Sequence, residues 1–385
     1  MKQIELLLQN KGVCKSVGFP CSEEEYQEVR RELELKDNYA FVRDVVEPKA
    51  LAFKKDTFVN LDEINYLAKR MDSFDQKELF SFFAAVEAGD YVSTKDLINL
   101  SFNLNCYTLI RDVSNLKSVG RNYVLCREVA ISADELEKMD LGKIGRELLS
   151  SGKGTPTKYG LLFRNEDVAF ETLYKGKGFP AYYYTGGEVL GVEIENGGER
   201  DYIYFPCEET EIDRASQRIG ASDISECSKS IDFCDGDREW ENYFNDLLEK
   251  NDIESVNAIS SAINRLSSNS DAISENLYKL SSVMEFAGVT FDDTAKVIRL
   301  AMCLEEFCYY REMKDDEMLG RTLKEQEYCD IPDSMDKYMD YERYARDFLE
   351  EKGGAYTKNG DVVYLREDQS LSEILGENDI KIGGI

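Results

Sequence analysis

The sequence predicts a mixed α+β protein: an elongated tandem of two related units, each built from small subdomains of antiparallel strands and amphipathic helices. Two observations carry this prediction. The 385 residues exceed what one hydrophobic core usually supports, and similar sequence blocks recur in the same order in both halves of the chain. With 42% hydrophobic and 11% aromatic residues, the chain has enough apolar material for real cores, which argues against disorder.

Four pairs of blocks make up the repeat. The tripeptide FPC, followed by an acidic helix start, occurs from Phe19 and again from Phe205, and the longest block begins at Lys143 and again at Glu342. The offset between copies grows from 186 to 200 along the chain, an order that chance matches would not keep. We therefore predict four segments: a first unit over 1–170, a linker over 171–188, a second unit over 189–370 and a C-terminal tail over 371–385.

Each unit is predicted to have the same sequence of elements. It opens with an alternating strand pair, Ile4 to Val17 in the first copy and Val189 to Phe205 in the second. Helices with acidic first turns and regularly spaced apolar residues follow. A last helix then runs into a glycine turn and a closing strand, Leu161 to Phe163 or Val362 to Leu365.

The composition excludes several classes of function. A net charge of −29 excludes a general nucleic-acid binder, because phosphates would be repelled. The absence of His excludes a His-based triad and His metal ligands. The ten Cys show no CxxC spacing, so we expect free thiols in a reducing cytoplasm. We expect no cofactor and no metal. We also expect no membrane span, since no apolar run reaches about 18 residues.

The charge is concentrated in the second half of the chain. Residues 1–185 hold 29 acids and 26 bases, whereas residues 186–385 hold 47 acids and 21 bases. Carboxylates fixed on a folded surface can imitate phosphates, although a solubilising acidic face would show the same composition. The predicted DNA-mimic surface consists of Asp223, Glu226, Asp232, Asp235, Asp237, Glu239, Glu241, Asp246, Glu249, Glu305, Glu306, Glu312, Asp315, Asp316 and Glu317.

Several segments resemble the ArdA-type antirestriction proteins of conjugative elements. They are FPCSEEEYQEVRREL, the helical stretch from Leu61, the segment from Asp96, and FPCEETEIDRASQRIG with MEFAG in the second copy. The resemblance implies an elongated, acidic, non-catalytic protein of a mobile genetic element. It also implies that the protein mimics bent DNA in the DNA-binding groove of type I restriction-modification enzymes. By the same resemblance, the partner is a DNA-binding defence enzyme rather than nucleic acid itself.

This chain departs from the family pattern in having two units, of which the first is almost neutral. We therefore expect the first copy to act as a scaffold or dimer-like partner, so that the protein forms a homodimer or an internal pseudo-dimer. Two alternatives stay open. One is an acidic module that binds another basic protein, such as a CRISPR effector, a transcription regulator or a nucleoid protein. The other is a carboxylate-dependent hydrolase, for which no particular acid pair stands out.

Overall fold

The computed structural model describes residues 3–89, 91–127, 131–182, 187–268, 270–326, 333–366 and 370–376. Residues 183–186 of the predicted linker and 377–385 of the predicted tail lie outside these ranges. The chain divides into a first unit, residues 1–184, and a second unit, residues 185–385, except that residues 197–201 group with the first. The predicted α+β class is confirmed, since small antiparallel sheets alternate with helices.

The first unit contains two sheets and a set of helices, with short 3-10 helices at Lys49–Lys54 and Leu104–Cys106. Its strands are β1 Ile4–Asn10, β2 Val13–Phe19, β3 Tyr39–Glu47, β4 Thr57–Asn60, β5 Tyr107–Ile110, β6 Thr155–Thr157 and β7 Gly160–Arg164. Its α-helices are α1 Glu23–Glu32, α2 Leu61–Asp72, α3 Gln76–Ala88, α4 Thr94–Phe102, α5 Leu116–Arg127, α6 Ala133–Lys138 and α7 Leu141–Ser150. The sheets have the strand orders β2-β1-β3-β4 and β5-β7-β6.

The second unit has the same plan, with 3-10 helices at Ile224–Glu226, Leu304–Glu306 and Asp333–Tyr338. Its strands are β8 Leu190–Asn196, β9 Glu199–Phe205, β10 Ser228–Cys234, β11 Phe307–Tyr310, β12 Ala355–Tyr356 and β13 Val362–Leu365. Its α-helices are α8 Glu209–Arg218, α9 Arg238–Glu249, α10 Ile253–Arg265, α11 Ser270–Ala287, α12 Thr294–Met302, α13 Asp316–Glu325, α14 Tyr341–Lys352 and α15 Leu371–Ile374. The sheets are ordered β10-β8-β9 and β11-β13-β12.

Both units open with the predicted hairpin. In the first unit the turn is Lys11-Gly12, with φ of 46° and 88°, and in the second it is Gly197-Gly198, with φ of 60° and 84°. Positive φ at both central residues is the geometry of the two-residue turn that matches the right-handed twist of paired strands. Glycine reaches this geometry without steric cost, so the second hairpin is well encoded by its sequence.

An asparagine fixes the corner after the hairpin in each unit. The backbone N–H of Cys21 donates to Oδ1 of Asn65 over 2.9 Å, and the amide of Asn65 donates back to the Cys21 carbonyl. In the second unit the N–H of Cys207 donates to Oδ1 of Asn257, also over 2.9 Å, and the Asn257 amide donates back to the Cys207 carbonyl over 2.8 Å. The two FPC corners are therefore held on the following helical layer by the same pair of contacts.

A second contact is matched near the end of each unit. The N–H of Lys158 donates to Oε1 of Glu87 over 3.3 Å, and the N–H of Lys358 donates to Oε1 of Glu285 over 2.9 Å. In both units a glutamate near the end of a long helix, α3 or α11, thus satisfies the backbone of the turn before the closing strand. The sequence similarity between the halves is therefore accompanied by similar elements and contacts.

Residues beyond the first closing strand belong to the first core. Tyr174, Phe179 and Tyr182 are each less than a tenth exposed, and the ring of Tyr66 stacks on Phe179 with 4.4 Å between centroids. The amide of Asn99 also donates to the Tyr174 carbonyl over 2.9 Å. This part of the predicted linker is thus packed in the first unit.

In the second unit, Ile374 and Leu375 at the end of α15 pack into the largest apolar cluster. The start of the predicted tail therefore contributes to the second core. Within the described ranges, no helix combines the length and the apolar character that crossing a membrane requires.

Candidate acidic interaction surface

Helix α9 presents acidic residues because its other side is fully used by the core. Its large apolar side chains, Trp240, Tyr243, Phe244, Leu247 and Leu248, are all buried. Its carboxylates therefore lie on the remaining, solvent-facing part of the helix: Glu239, Glu241, Asp246 and Glu249 are all exposed. At 1.5 Å per residue, the carboxylates from Glu239 to Glu249 extend along about 15 Å of helix.

The start of α9 is fixed by one of the predicted carboxylates. The side chain of Asp237 accepts hydrogen bonds from the N–H groups of Glu239 and Trp240, over 2.9 and 3.2 Å. This N-cap satisfies backbone donors that would otherwise lack a partner, and the negative charge suits the positive end of the helix dipole. Asp237 is exposed, so its charge is held in place and still faces solvent.

Strand β10 lies beside β8, at the edge of its sheet among the described strands. Its register shifts between Ile231, opposite Val192, and Phe233, opposite Gly191, so Asp232 is the extra residue of a β-bulge. A bulge changes the direction of a side chain on an edge strand. Asp232 is exposed at this bulge.

Two further acids are held by the loop that leads into β10. Asp223 accepts a hydrogen bond from the N–H of Ser225 over 2.8 Å, and Glu226 accepts one from the N–H of Ser222 over 2.8 Å. The hydrogen bonds from Ser225 hold the pKa of Asp223 below its ordinary value. Both carboxylates are exposed to solvent.

The fifteen predicted acids fall into two groups that differ in ion pairing. The first, called here the α9 group, forms no salt bridge with any residue that the structure describes. It comprises Asp223, Glu226, Asp232, Asp235, Asp237, Glu239, Glu241, Asp246 and Glu249, all exposed except the half-buried Asp235.

The second, the α13 group, comprises Glu305, Glu306, Glu312, Asp315, Asp316 and Glu317, and half of it is paired with arginines. Glu317 pairs with Arg321 over 2.8 Å, and Asp316 lies 3.7 Å from a nitrogen of Arg346. Glu312 lies 3.6 Å from Arg311. Partial neutralisation makes this group a weaker source of negative potential than the α9 group.

A cavity of about 350 Å³ adjoins the α9 group. It is lined from the α9 side by Asp235 and Asp237 and from the α11 side by Asp271 and Glu275, with Arg311 beside them. The prediction from charge density did not include Asp271 and Glu275. Their spacing of four residues, which puts two acids on one face of a helix, was the available signal.

The described residues contain no group of three or more acids, cysteines or histidines with a geometry that would hold a metal ion. Nine of the ten cysteines lie among the residues that the structure describes, and all nine are free thiols.

One family comparison matches the region that carries these acids. The family described as antirestriction protein (ArdA) matches residues 198–363. The second half of the chain contains an ArdA domain. The match includes all fifteen predicted acids and runs from the first hairpin of the second unit to β13. No curated protein matches the chain.

The ArdA match does not extend over the first unit. The first unit resembles the second in the order of its α and β elements and in the matched contacts at Asn65 and Glu87. The ArdA domain thus coincides with the acidic half of the chain, and the near-neutral half lies outside it.

Proposed function

We propose that this protein is a non-catalytic antirestriction inhibitor that acts as a DNA mimic in the cytoplasm. In this proposal, the ArdA domain occupies the DNA-binding groove of a type I restriction-modification enzyme. The observation that carries it is the coincidence of the ArdA match with nine carboxylates that have no salt-bridge partner in the described residues. Lys and Arg side chains that bind phosphates in such a groove would meet these carboxylates instead.

The α9 group is proposed as the main contact surface. Charges that are already paired within the protein offer little to a partner, because the internal cation cancels much of their potential. The α13 group, with its three arginine partners, therefore contributes less. Three acids of the α9 group, Asp223, Glu226 and Asp237, are also held by backbone N–H groups, which lowers the entropy lost on binding.

We further propose that the chain is a tandem duplication in which the two units have taken different roles. The matched corners at Asn65 and Asn257 and the matched glutamates Glu87 and Glu285 support a common origin. The first unit, with nearly balanced charge, would serve as a scaffold or as the dimer-like partner of the ArdA domain. In this proposal only the second unit competes with DNA.

The proposal is tested by removing charge from α9 without touching its core. The variant E239Q/E241Q/D246N/E249Q alters four exposed side chains that form no hydrogen bond within the described part of the chain. Since an exposed ion pair is worth about 0.2–1 kcal/mol, we expect roughly tenfold weaker inhibition of DNA binding by a type I enzyme in a gel-shift assay. Inhibition by the unaltered protein should also weaken steeply as salt is raised from low concentration.

The matched control removes four charges from the first unit. E24Q/E47Q/D134N/E137Q alters exposed acids that have no salt bridge within the described residues. We expect this variant to inhibit as well as the unaltered protein. Equal loss in both variants would show that total charge, not the α9 surface, drives inhibition. No inhibition of any type I enzyme, with capture of another basic nucleic-acid-binding protein, would favour the alternative of a different target.

A further inference from the structure

The cavity beside α9 combines negative charge with an aromatic wall. Its carboxylates come from the end of β10, the start of α9 and the side of α11, namely Asp235, Asp237, Asp271 and Glu275. Its apolar lining comes from Trp240, Leu277 and Tyr278. A volume of about 350 Å³ lies at the lower end of the range for ligand sites. It therefore suits a single side chain better than a large metabolite.

The protein's own Arg311 shows how this wall binds a guanidinium group. Nη1 of Arg311 lies 2.6 Å from Oε2 of Glu275, and its guanidinium carbon lies 4.3 Å from the centroid of the Tyr278 ring. An ion pair and an aromatic face thus act together on a flat cation. Among the described residues that line the cavity, Arg311 is the single cation.

Two other carboxylates that line the cavity, Asp235 and Asp271, have no such partner among the described residues. Asp235 and Asp271 form no salt bridge in the described part of the chain. Burial raises the pKa of Asp235 above its ordinary value, and the neighbouring charges of Glu188 and Asp271 raise it further. A cation placed between these acids would relieve their mutual repulsion.

We infer that this cavity is a receptor for an arginine side chain of a protein partner, placed between Asp235, Asp271 and the aromatic wall. The inference deepens the proposed function, on which it rests, because a DNA-binding groove presents arginines. An arginine fits better than a lysine, since its planar group can pair with carboxylates and stack on a ring at once. The receptor would give the charged surface a fixed anchor point.

The first unit has the same stacked pair but the opposite charge beside it. The guanidinium carbon of Arg111 lies 4.2 Å from the centroid of Phe80, as that of Arg311 lies over Tyr278. Three residues before Phe80 the first unit has Lys77, whereas three residues before Tyr278 the second unit has Glu275. Of these two stacked pairs, only the second therefore has a carboxylate at this position, where it can bind a guanidinium group.

Trp240 makes the inference testable with the full-length protein and no enzyme. It is the chain's one tryptophan and lines the cavity, so its indole N–H gives one reporter signal in a ¹⁵N NMR spectrum. We expect N-acetyl-arginine methylamide to shift this signal saturably, and the lysine analogue to bind more weakly. D235N/D271N, which keeps side-chain size, should weaken binding of the arginine probe about tenfold or more.

The control is E350Q/E351Q, which removes two exposed charges from α14 and should leave probe binding unchanged. The single variant D271N, at an exposed position, should also weaken binding and guards against a folding defect in the double variant. Absence of a saturable shift, equal binding of the lysine probe, or equal loss in the α14 control would each overturn the receptor. Enzyme inhibition without probe binding would overturn the receptor alone, whereas probe binding without inhibition would support it and contradict the proposed function.

Discussion

The two units differ most in one connection, between the third strand of the opening sheet and the next helical layer. In the first unit, residues 48–60 form a 3-10 helix and β4, and they contain three lysines and one aspartate. In the second unit, residues 235–252 form α9 with its flanks, and they contain seven acids and two bases. The remaining order of strands and helices is nearly the same. Surface charge has thus changed in a segment whose secondary structure the two units do not share.

The strand before this connection shows the same contrast at one residue. In β3 the register shifts between Glu47, opposite Glu5, and Val45, opposite Leu6, which leaves Val46 as the extra residue. In β10 the corresponding bulge residue is Asp232. A bulge residue has no cross-strand partner, so its side chain can change without disturbing the pairing of the sheet. This difference teaches that a charged surface can be added at irregular positions while the framework is kept.

The comparison predicts that replacing equivalent core residues lowers the free energy of unfolding by the same amount in both units. Phe19 and Phe205, each at most 1% exposed, end the second strand of their hairpins. Replacing either phenylalanine with alanine leaves a cavity, and we expect each to lower the free energy of unfolding of its unit by about 3–5 kcal/mol. Urea unfolding, with hydrogen exchange to assign the affected unit, measures both costs.

The control for this pair is F58A, at a ring that is 69% exposed, which should change stability by no more than about 0.5 kcal/mol. A cost below about 1 kcal/mol at only one of the two buried positions would contradict the equivalence of the two hairpin cores.

A smaller effect is expected where helices approach closely in both units. A Cβ on Gly120 would lie 2.0 Å from the carbonyl oxygen of Leu141, and one on Gly320 would lie 2.2 Å from that of Tyr341. Backbone atoms cannot move aside easily, so G120A and G320A should each destabilise by about 1–3 kcal/mol. Thermal unfolding of the two variants measures this. G142A is the control, because its Cβ meets only ordinary contacts and should be neutral or slightly stabilising.

Much of the fold was predictable because the repeat and the strand alternation are local signals. The hairpins occur where the alternating residues predicted them, and Gly197-Gly198 encodes its turn directly. The packing of Tyr174 and Phe179 into the first core was not predictable, since the surrounding glycines indicated a boundary. Only tertiary contacts decide whether such a segment is a linker or part of a core.

The acidic groups could be located from sequence, but their pairing could not. Arg321 follows Glu317 by four residues, a spacing that predicts an ion pair on a helix. Arg346 is thirty residues from Asp316, and only the packing of α14 beside α13 brings them together. The boundary of the cavity is likewise set by α11, so the spacing of Asp271 and Glu275 could indicate a shared helix face but not that this face lines a cavity with Asp235. Whether the fifteen acids act as a DNA mimic stays a prediction.

The smallest expected effect concerns Asp235 and its dependence on pH. Burial, followed by the charges of Glu188 and Asp271, raises the pKa of Asp235 in the folded protein. A raised carboxyl pKa means that the ionised form weakens the folded state above that pKa, and that this penalty disappears as pH falls below the ordinary value near 4. D235N should therefore slightly stabilise the second unit at neutral pH, within about 0.5 kcal/mol, and the gain should vanish in acid.

Asp223 provides the opposite sign within the same acidic surface. Its hydrogen bonds from Ser225 lower its pKa, so its contribution is present at neutral pH and is lost as pH falls through the lowered pKa. D223N should therefore destabilise the second unit at neutral pH, and its cost should shrink in acid. Thermal unfolding of both variants from pH 7 to pH 3 measures the two trends. Parallel trends would show that the local surroundings of these two carboxylates do not differ as described. Opposite trends would show that hydrogen bonds stabilise the charge of Asp223, whereas burial and neighbouring acids destabilise the charge of Asp235.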